Sequence, residues 1–381
     1  MAIDISKSKK LILMMKNIPV VEFSTDRKIW NVLNWDYLPY RIKGFIKQFK
    51  YNENLTEFDN KVAEMDSNFN NLMQLMGFFG DRVLSLDREN GKKIYNLLKL
   101  SQRQDGLYRA YISLMFRSVS LSDCYWVKEA GENLQWCDVN LRVNSLNRVV
   151  AQVALHGSNL TLNGKHIKTP EISTLGTYAK CWKREDGDLW LYKKGHRGGN
   201  ESDIEVCVSG LLDKMNVKHI KYVAAKSKDD VCCKCKCMTD DKIGIISGSD
   251  FNAYCNACGK TMMNELLKID SDSVYKMCVV DYLISNTDRH DLNWGLYIEN
   301  DTNRIIKCHP LYDHNNAFNT DAMRKESGGP YIFTGTTMKE AAIHAVKRCD
   351  IRFISRVKKS DFLNTEQYSS FVNRAKMLRL M

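Results

Sequence analysis

A tight turn at residues 185–188, Glu-Asp-Gly-Asp, is the feature that most constrains the fold of this chain. Asp-Gly favours a two-residue β-turn, because both central positions of such a turn take positive φ angles. Residues 178–184 and 189–194 on either side have the length and composition of short strands, so an antiparallel hairpin is predicted. Residues 200–215 then carry apolar side chains at helical spacing. This part of the chain is therefore predicted to run strand, turn, strand, helix.

Composition places the chain among globular proteins. It has 381 residues, enough for two or three domains, with 44% hydrophobic and 27% charged residues. No apolar run has the length of a membrane span, and the first residues do not resemble a signal peptide, so we expect a cytoplasmic protein without a membrane span. An odd number of cysteines, 13, in such a chain predicts reduced thiols rather than a disulfide framework.

The formal net charge is +11, and basic residues are concentrated in residues 347–379. Apolar residues alternate with them at helical spacing, which favours amphipathic helices with a basic outer face. A diffuse excess of Lys and Arg more often marks a solvated surface than a nucleic-acid site. We therefore do not expect direct nucleic-acid binding from charge alone.

Asp288 is followed five positions later by Asn293, directly after a helix predicted at residues 262–284. In phosphoryl-transfer enzymes this spacing joins an aspartate that accepts the proton of the substrate hydroxyl to an asparagine that holds a magnesium ion. Asp313 follows a second predicted hairpin, formed by residues 296–306. In that position it could bind magnesium beside the nucleotide phosphates. An Asp and an Asn at this spacing are common by chance. The pair becomes informative because further candidate residues precede and follow it in the order that a kinase needs.

Earlier signals fit the same chemistry. Gly176 precedes the first strand of the 185–188 hairpin, where a backbone without a Cβ can approach a phosphate, although a plain turn glycine is the alternative. Lys193 ends the second strand and can reach phosphates as a point charge, with Lys194 as its competitor. Glu205 on the following helix can pair with Lys193, or it can form a capping box with Ser202.

The stretch Asn286-Thr287-Asp288-Arg289-His290-x-x-Asn293, followed by Pro310-Leu311-Tyr312-Asp313, resembles the HipA-like serine/threonine kinases. These are bacterial proteins that include toxins of toxin–antitoxin pairs. The resemblance covers about residues 165–345 and implies an α+β, two-lobed protein-kinase-like fold with an additional N-terminal α/β region. The domains expected are an N-terminal region of unknown role (1–150), a small β-rich lobe with phosphate loop and hinge (151–258), and a helical lobe with catalytic loop and basic C-terminus (259–381).

The resemblance also implies roles. Asp288 would be the catalytic base, Asn293 and Asp313 would bind Mg²⁺, Lys193 would contact the ATP phosphates, and Glu205 would orient Lys193. The phosphate loop would be residues 173–180, with Gly176, Thr177 and Lys180 binding the nucleotide, and Ser173 falls where the family can carry an autophosphorylated serine. A protein substrate is expected, and a DNA-binding antitoxin partner is implied by analogy with some members of the family.

Two alternatives stay open. Asp-Arg-His-x-x-Asn is also similar to the catalytic loop of phosphoinositide kinases, which favours a lipid or small-molecule kinase as the second hypothesis.

The other alternative rests on cysteines. Cys232, Cys235, Cys255 and Cys258 form two Cys-x-x-Cys pairs with 19 residues between them, a spacing found in zinc ribbons. Together with the basic C-terminus, a zinc ribbon would favour a nucleic-acid-binding regulator with a degenerate kinase fold. The period-two spacing of Cys233, Cys235 and Cys237 instead favours a strand with reduced cysteines.

Overall fold

The computed structural model describes residues 10–26, 28–162, 167–196, 199–319, 336–351 and 354–381. Within these residues the chain forms three antiparallel sheets, with helices packed against them. No helix in this part of the chain is both long enough and apolar enough to cross a membrane.

The first sheet belongs to the N-terminal region and has the order β3-β2-β1-β4. Its strands are β1 (Lys10–Met15), β2 (Ile18–Ser24), β3 (Trp30–Val32) and β4 (Tyr125–Glu129). The helices of this region are α1 (Tyr40–Lys43), α2 (Glu57–Asp81), α3 (Gly91–Leu97), α4 (Gly106–Met115), α5 (Trp136–Val139) and α6 (Arg148–His156). Phe23, Phe79 and Trp126 are fully buried where α2 and α4 pack on the sheet.

The second sheet forms the small lobe, together with helix α7 (Glu201–Lys214). Its strands are β5 (Lys180–Glu185), β6 (Asp188–Lys193), β7 (Val223–Ser227) and β8 (Asp230–Lys236), in the order β5-β6-β8-β7. The predicted hairpin is confirmed: Asp186 and Gly187 have φ angles of 49° and 87°, as the two-residue turn requires.

The third sheet lies in the large lobe. Strands β9 (Ile243–Ser247), β10 (Gly295–Glu299) and β11 (Arg304–Cys308) pair in the order β11-β10-β9. The helices here are α8 (Gly248–Ala257), α9 (Met262–Leu283), α10 (Met338–Ala345) and α11 (Thr365–Met377). The prediction of a helix before Asp288 is confirmed by α9, which kinks at Asp270, where the backbone is not helical (φ −159°, ψ 72°).

Strand β9 and helix α8 pack in the apolar core of the large lobe. Ile246 on β9 and Phe251 and Cys255 on α8 are buried in the same apolar core as α9, so these elements are part of the large lobe. We group β9 and α8 with the large lobe because their apolar faces are buried against α9.

The N-terminal region contacts both lobes. Val150 and Leu155 on α6 share a core with Cys181 and Tyr192 of the small-lobe sheet. On the side of the large lobe, the Asn303 side-chain amide donates to the carbonyls of Asp36 at 2.8 Å and Leu38 at 3.0 Å. The N-terminal region therefore joins the two lobes.

The four cysteines of the zinc hypothesis are not brought together. Cys232 and Cys235 are three residues apart on β8, so their side chains face opposite sides of the sheet; Cys232 packs towards α6, whereas Cys235 packs with Tyr222. Cys255 is buried in the large lobe, and Cys258 is exposed after α8. No group of three or more His, Cys, Asp or Glu residues in the described ranges is arranged to hold a metal ion. In the described residues these four thiols therefore do not meet at one site.

Candidate active site

The site is centred on Lys193, the last residue of β6. Its ammonium donates to Glu205 Oε2 on α7 at 2.7 Å and to Asp313 Oδ1 at 2.6 Å. Glu205 is fully buried, and its second oxygen accepts the backbone N–H of His314 at 2.8 Å. The strand, the helix and the segment after the third sheet therefore meet at one buried charge cluster.

The two alternatives for these residues are resolved by their contacts. Lys194 points the other way and pairs with Asp230 at 2.8 Å, so Lys193 is the lysine that faces the site. Ser202 does not cap α7, because its hydroxyl accepts the N–H of Gly195 and donates to the carbonyl of Lys193. Glu205 therefore serves the ion pair and not a capping box.

The charges of this cluster shift the pKa values of its members. Burial opposes the charge on Lys193, but Asp313 and Glu205 outweigh burial and raise its pKa well above the usual value. Burial likewise opposes ionisation of Asp313, yet Lys193 and Lys180 hold the pKa of Asp313 below its usual range. Lys193 thus stands between two carboxyl groups, and buried Lys180 adds a second positive charge near Asp313.

The loop after α9 presents Asp288 to this cluster. The Asn293 side-chain amide donates to the Asp288 carbonyl at 2.8 Å, and this bond holds together the two ends of the segment from Asp288 to Asn293. Burial raises the pKa of the Asp288 carboxyl; His290, whose Nε2 lies 4.0 Å from it, lowers the pKa, and Asp313 raises it. A carboxylate with a raised pKa and an exposed edge can accept a proton from a hydroxyl.

Arg289 anchors the same loop, a role that sequence reasoning missed. Its guanidinium forms two 2.9 Å bonds with Asp281 on α9, and it also donates to the carbonyls of Asn293 and of Tyr312, the latter at 2.8 Å. Both charged side chains are almost fully buried. The signal available in the sequence was Asp281 itself, a carboxylate inside the apolar end of a predicted helix.

The loop at residues 173–180 lies over Lys193. Gly176 has a φ angle of +99°, which favours glycine at this position, and a Cβ there would lie 2.4 Å from Lys180 Nζ, so the lysine side chain would have to move. In the part of the chain that is described, the backbone N–H groups of residues 175–178 have no hydrogen-bond acceptor. Successive unpaired N–H groups in a loop are suited to binding an anion.

Lys180 adds a positive charge beneath this loop. It is buried, and its ammonium has no hydrogen-bond or ion-pair partner among the residues that the structure describes. Burial lowers the pKa of Lys180 to about 8, although Asp313 favours its charged form. Thr177 is exposed on the same loop, and Tyr178 lies close enough for Asp288 and Asp313 to raise its pKa further than burial alone. The site therefore combines two buried lysines with a loop of free N–H groups.

Residues 177–360 match the family model described as HipA-like kinase. This region is therefore similar to the HipA-like kinases. The match begins inside the loop at residues 173–180 and includes Lys193, Glu205, Asp288, Asn293 and Asp313.

One solved structure supports the fold over nearly the whole chain. A HipA from Shewanella oneidensis MR-1, solved in complex with HipB and operator DNA, aligns with 97% of this chain and 95% of its own chain, at 9% identity and a TM-score of 0.50. The proinflammatory kinase CtkA of Helicobacter pylori aligns with 53% of this chain and 90% of its own, at 14% identity and a TM-score of 0.39. No curated protein matches the chain. At these identities the HipA structure is evidence for the fold alone.

The HipA-like region also has oxygen donors that fit Mg²⁺. Among the described residues, Asp313 Oδ2 and Asn293 Oδ1 accept no hydrogen bond, because Asp313 binds Lys193 through Oδ1 and Asn293 donates through its amide nitrogen. Mg²⁺ prefers oxygen ligands and is held by one or two protein groups together with phosphates and water. These two oxygens could therefore serve as Mg²⁺ ligands beside a bound nucleotide.

Proposed function

We propose that this HipA-like chain is an ATP- and Mg²⁺-dependent kinase that phosphorylates serine or threonine on a protein substrate and can phosphorylate itself. The observation that supports it most is the meeting of Lys193 with Glu205 and Asp313 at 2.7 Å and 2.6 Å. A strand lysine paired with a helix glutamate, beside a metal-binding aspartate, is the arrangement that protein kinases use to hold ATP phosphates.

The chain's own residues account for binding and positioning. Residues 175–178 offer free N–H groups, and Lys180 and Lys193 offer positive charge to the phosphates. Asp288 accepts the proton of the attacking hydroxyl, and Asn293 holds the loop that carries Asp288. Bound Mg²⁺ would offset charge on the phosphate oxygens. Phosphoryl transfer needs little else, because its transition state is loose and depends mainly on positioning and electrostatics.

The test of catalysis is Asp288→Asn in an assay with γ-labelled ATP and Mg²⁺. Label transfer to the protein itself or to proteins of a cell lysate should be lost, while ATP affinity changes little, because Asp288 contacts the hydroxyl and not the nucleotide. Asp229→Asn, in the exposed turn before β8, is the matched control and should retain transfer. Wild-type transfer by the Asp288 variant would show that another residue is the base.

The substrate class needs its own measurement. The wild-type protein is incubated with labelled ATP and either cell lysate or phosphoinositide vesicles. Label in protein bands that remains after extraction of lipids with acidified chloroform and methanol supports the protein-kinase proposal. Label confined to the extracted lipid would instead support the phosphoinositide-kinase alternative.

We also propose that the chain acts with a DNA-binding antitoxin. The support is the whole-length alignment with a HipA that was solved together with HipB and operator DNA. Growth of a host that expresses the wild-type chain should be slowed, and co-expression of the product of an adjacent gene should restore growth. The Asp288→Asn variant should not slow growth, and equal growth inhibition by both forms would contradict a role that depends on kinase activity.

A further inference from the structure

The N-terminal region reaches the phosphate loop through a short connector between α2 and α3. Arg88 in this connector is 2% exposed, and its guanidinium donates to three carbonyls of the loop segment: those of Glu171 at 3.3 Å, Thr174 at 2.9 Å and Lys180. These carbonyls lie on both sides of Gly176. A single planar side chain thus spans the whole loop.

Two backbone bonds run parallel to this contact. Leu84 N–H donates to the Ile172 carbonyl and Glu89 N–H to the Thr177 carbonyl, each at 2.8 Å. The connector therefore donates hydrogen bonds to five carbonyls in and just before the loop, those of Glu171, Ile172, Thr174, Thr177 and Lys180. The N–H groups of residues 175–178 are left without acceptors in the described structure.

The division between carbonyls and N–H groups has a chemical consequence. A carbonyl directed at a phosphate repels it, whereas an N–H attracts it. Arg88 and its neighbours bind carbonyls of the loop on the side of the N-terminal region, so the remaining N–H groups can face an anion without rearrangement. Such preorganisation lowers the cost of binding, because the loop need not be ordered by the ligand.

We infer that Arg88 is a positioning residue of the nucleotide site, and that the N-terminal region is a working part of that site. The inference rests on the proposed ATP-dependent function. Arg88 holds the loop through geometry rather than through its charge, since the planar guanidinium binds three carbonyls at once and a lysine ammonium in its place could not span them.

The test compares Arg88→Lys with Arg82→Lys. Arg82 lies in the same region with a side chain that is 9% exposed, but it binds Asp123 and the Ser118 carbonyl, and no hydrogen bond joins it to the loop among the described residues. Arg88→Lys should raise the KM for ATP about tenfold with kcat within about threefold of wild type, since the lost bonds order the nucleotide-binding loop. Arg82→Lys should leave both values unchanged. An unchanged KM for ATP in Arg88→Lys would overturn the inference.

A second measurement needs no variant. Hydrogen exchange of the wild-type protein with and without a non-hydrolysable ATP analogue and Mg²⁺ should show slower exchange at residues 175–178. It should also show slower exchange at the Leu84 and Glu89 amides, because ordering of the loop and ordering of the connector are coupled. Protection of the loop without protection of the connector would overturn the role of the N-terminal region. Absence of protection at both would instead reject the nucleotide site itself, and with it the proposed function.

Discussion

The Lys193 ammonium lies 2.6 Å from Asp313 Oδ1, although 120 residues separate the two in sequence. Lys193 ends a strand of the small lobe, and Asp313 follows the last strand of the large lobe. The contact therefore fixes the two lobes relative to each other at the place where phosphates would bind. Asp313 has a φ angle of 58°, an uncommon conformation for a residue with a side chain. The hydrogen bonds of its neighbours hold it there: the Tyr312 carbonyl accepts from Arg289, and the His314 N–H donates to Glu205.

Lys193→Met is expected to abolish phosphoryl transfer and to lower stability by about 3–5 kcal/mol, because it leaves a buried carboxylate without its partner. The double variant Lys193→Met/Glu205→Gln should melt at a higher temperature than the single variant and stay inactive. Thermal melting and labelled-ATP assays measure the two effects. Lys194→Met, which removes only a partly exposed pair with Asp230, should cost less than about 1 kcal/mol and retain activity. Equal melting of the single and double variants would contradict a buried charge on Glu205.

The affinity for ATP is expected to fall as pH rises through the pKa of Lys180, which burial lowers to about 8. A buried lysine with a lowered pKa is charged below that pH and neutral above it, and only the charged form attracts phosphate. The KM for ATP should therefore rise between about pH 7 and pH 9, by at most about tenfold per unit. Lys180→Arg should remove this dependence, because arginine stays protonated.

Lys226→Met, on the exposed edge of the small-lobe sheet, is the control for this experiment and should show the same pH dependence as wild type. A flat KM for ATP in the wild-type protein would mean that Lys180 does not contact phosphate in its charged form.

Local patterns were sufficient to predict the elements that carry the site. The Asp-Gly turn, the helix after it and the long helix before Asp288 are each specified by residues close in sequence, and each is present. Four candidate site residues also followed from their sequence order. Lys193 contacts Glu205 and Asp313, and Asp313 is close enough to Asp288 to raise its pKa.

Contacts between distant parts of the chain could not be predicted. The two Cys-x-x-Cys pairs had the spacing of a zinc ribbon, but strand geometry turns Cys232 and Cys235 to opposite faces of a sheet. Arg88 gave no signal, since its partners are backbone carbonyls, which every residue has. The sheet of the N-terminal region pairs β1 with β4, more than a hundred residues away, and no short pattern specifies such a pairing.

The acid limb of the rate profile is expected to depend on Asp288 and His290. Burial raises the pKa of Asp288, and the base must be ionised, so kcat should fall with decreasing pH at values above the usual aspartate range. His290 lowers that pKa, so His290→Gln should move the acid limb to higher pH. The measurement is kcat against pH at saturating ATP. Exposed His344→Gln serves as control, and coincident acid limbs for wild type and His290→Gln would show that the imidazole does not act on the base.

Arg289→Lys is expected to reduce kcat by about a hundredfold or more while the KM for ATP changes little. The guanidinium binds Asp281 twice, and it also holds the carbonyls of Asn293 and Tyr312, whereas a single ammonium cannot make all of these bonds. Loss of these anchors would displace Asp288, and a displacement of about 1 Å at a reacting group costs about a hundredfold in rate. Steady-state kinetics at a temperature well below the melting transition separates this effect from unfolding. A variant that stays folded with kcat within about threefold of wild type would show that the catalytic loop keeps its position without the Arg289 fork.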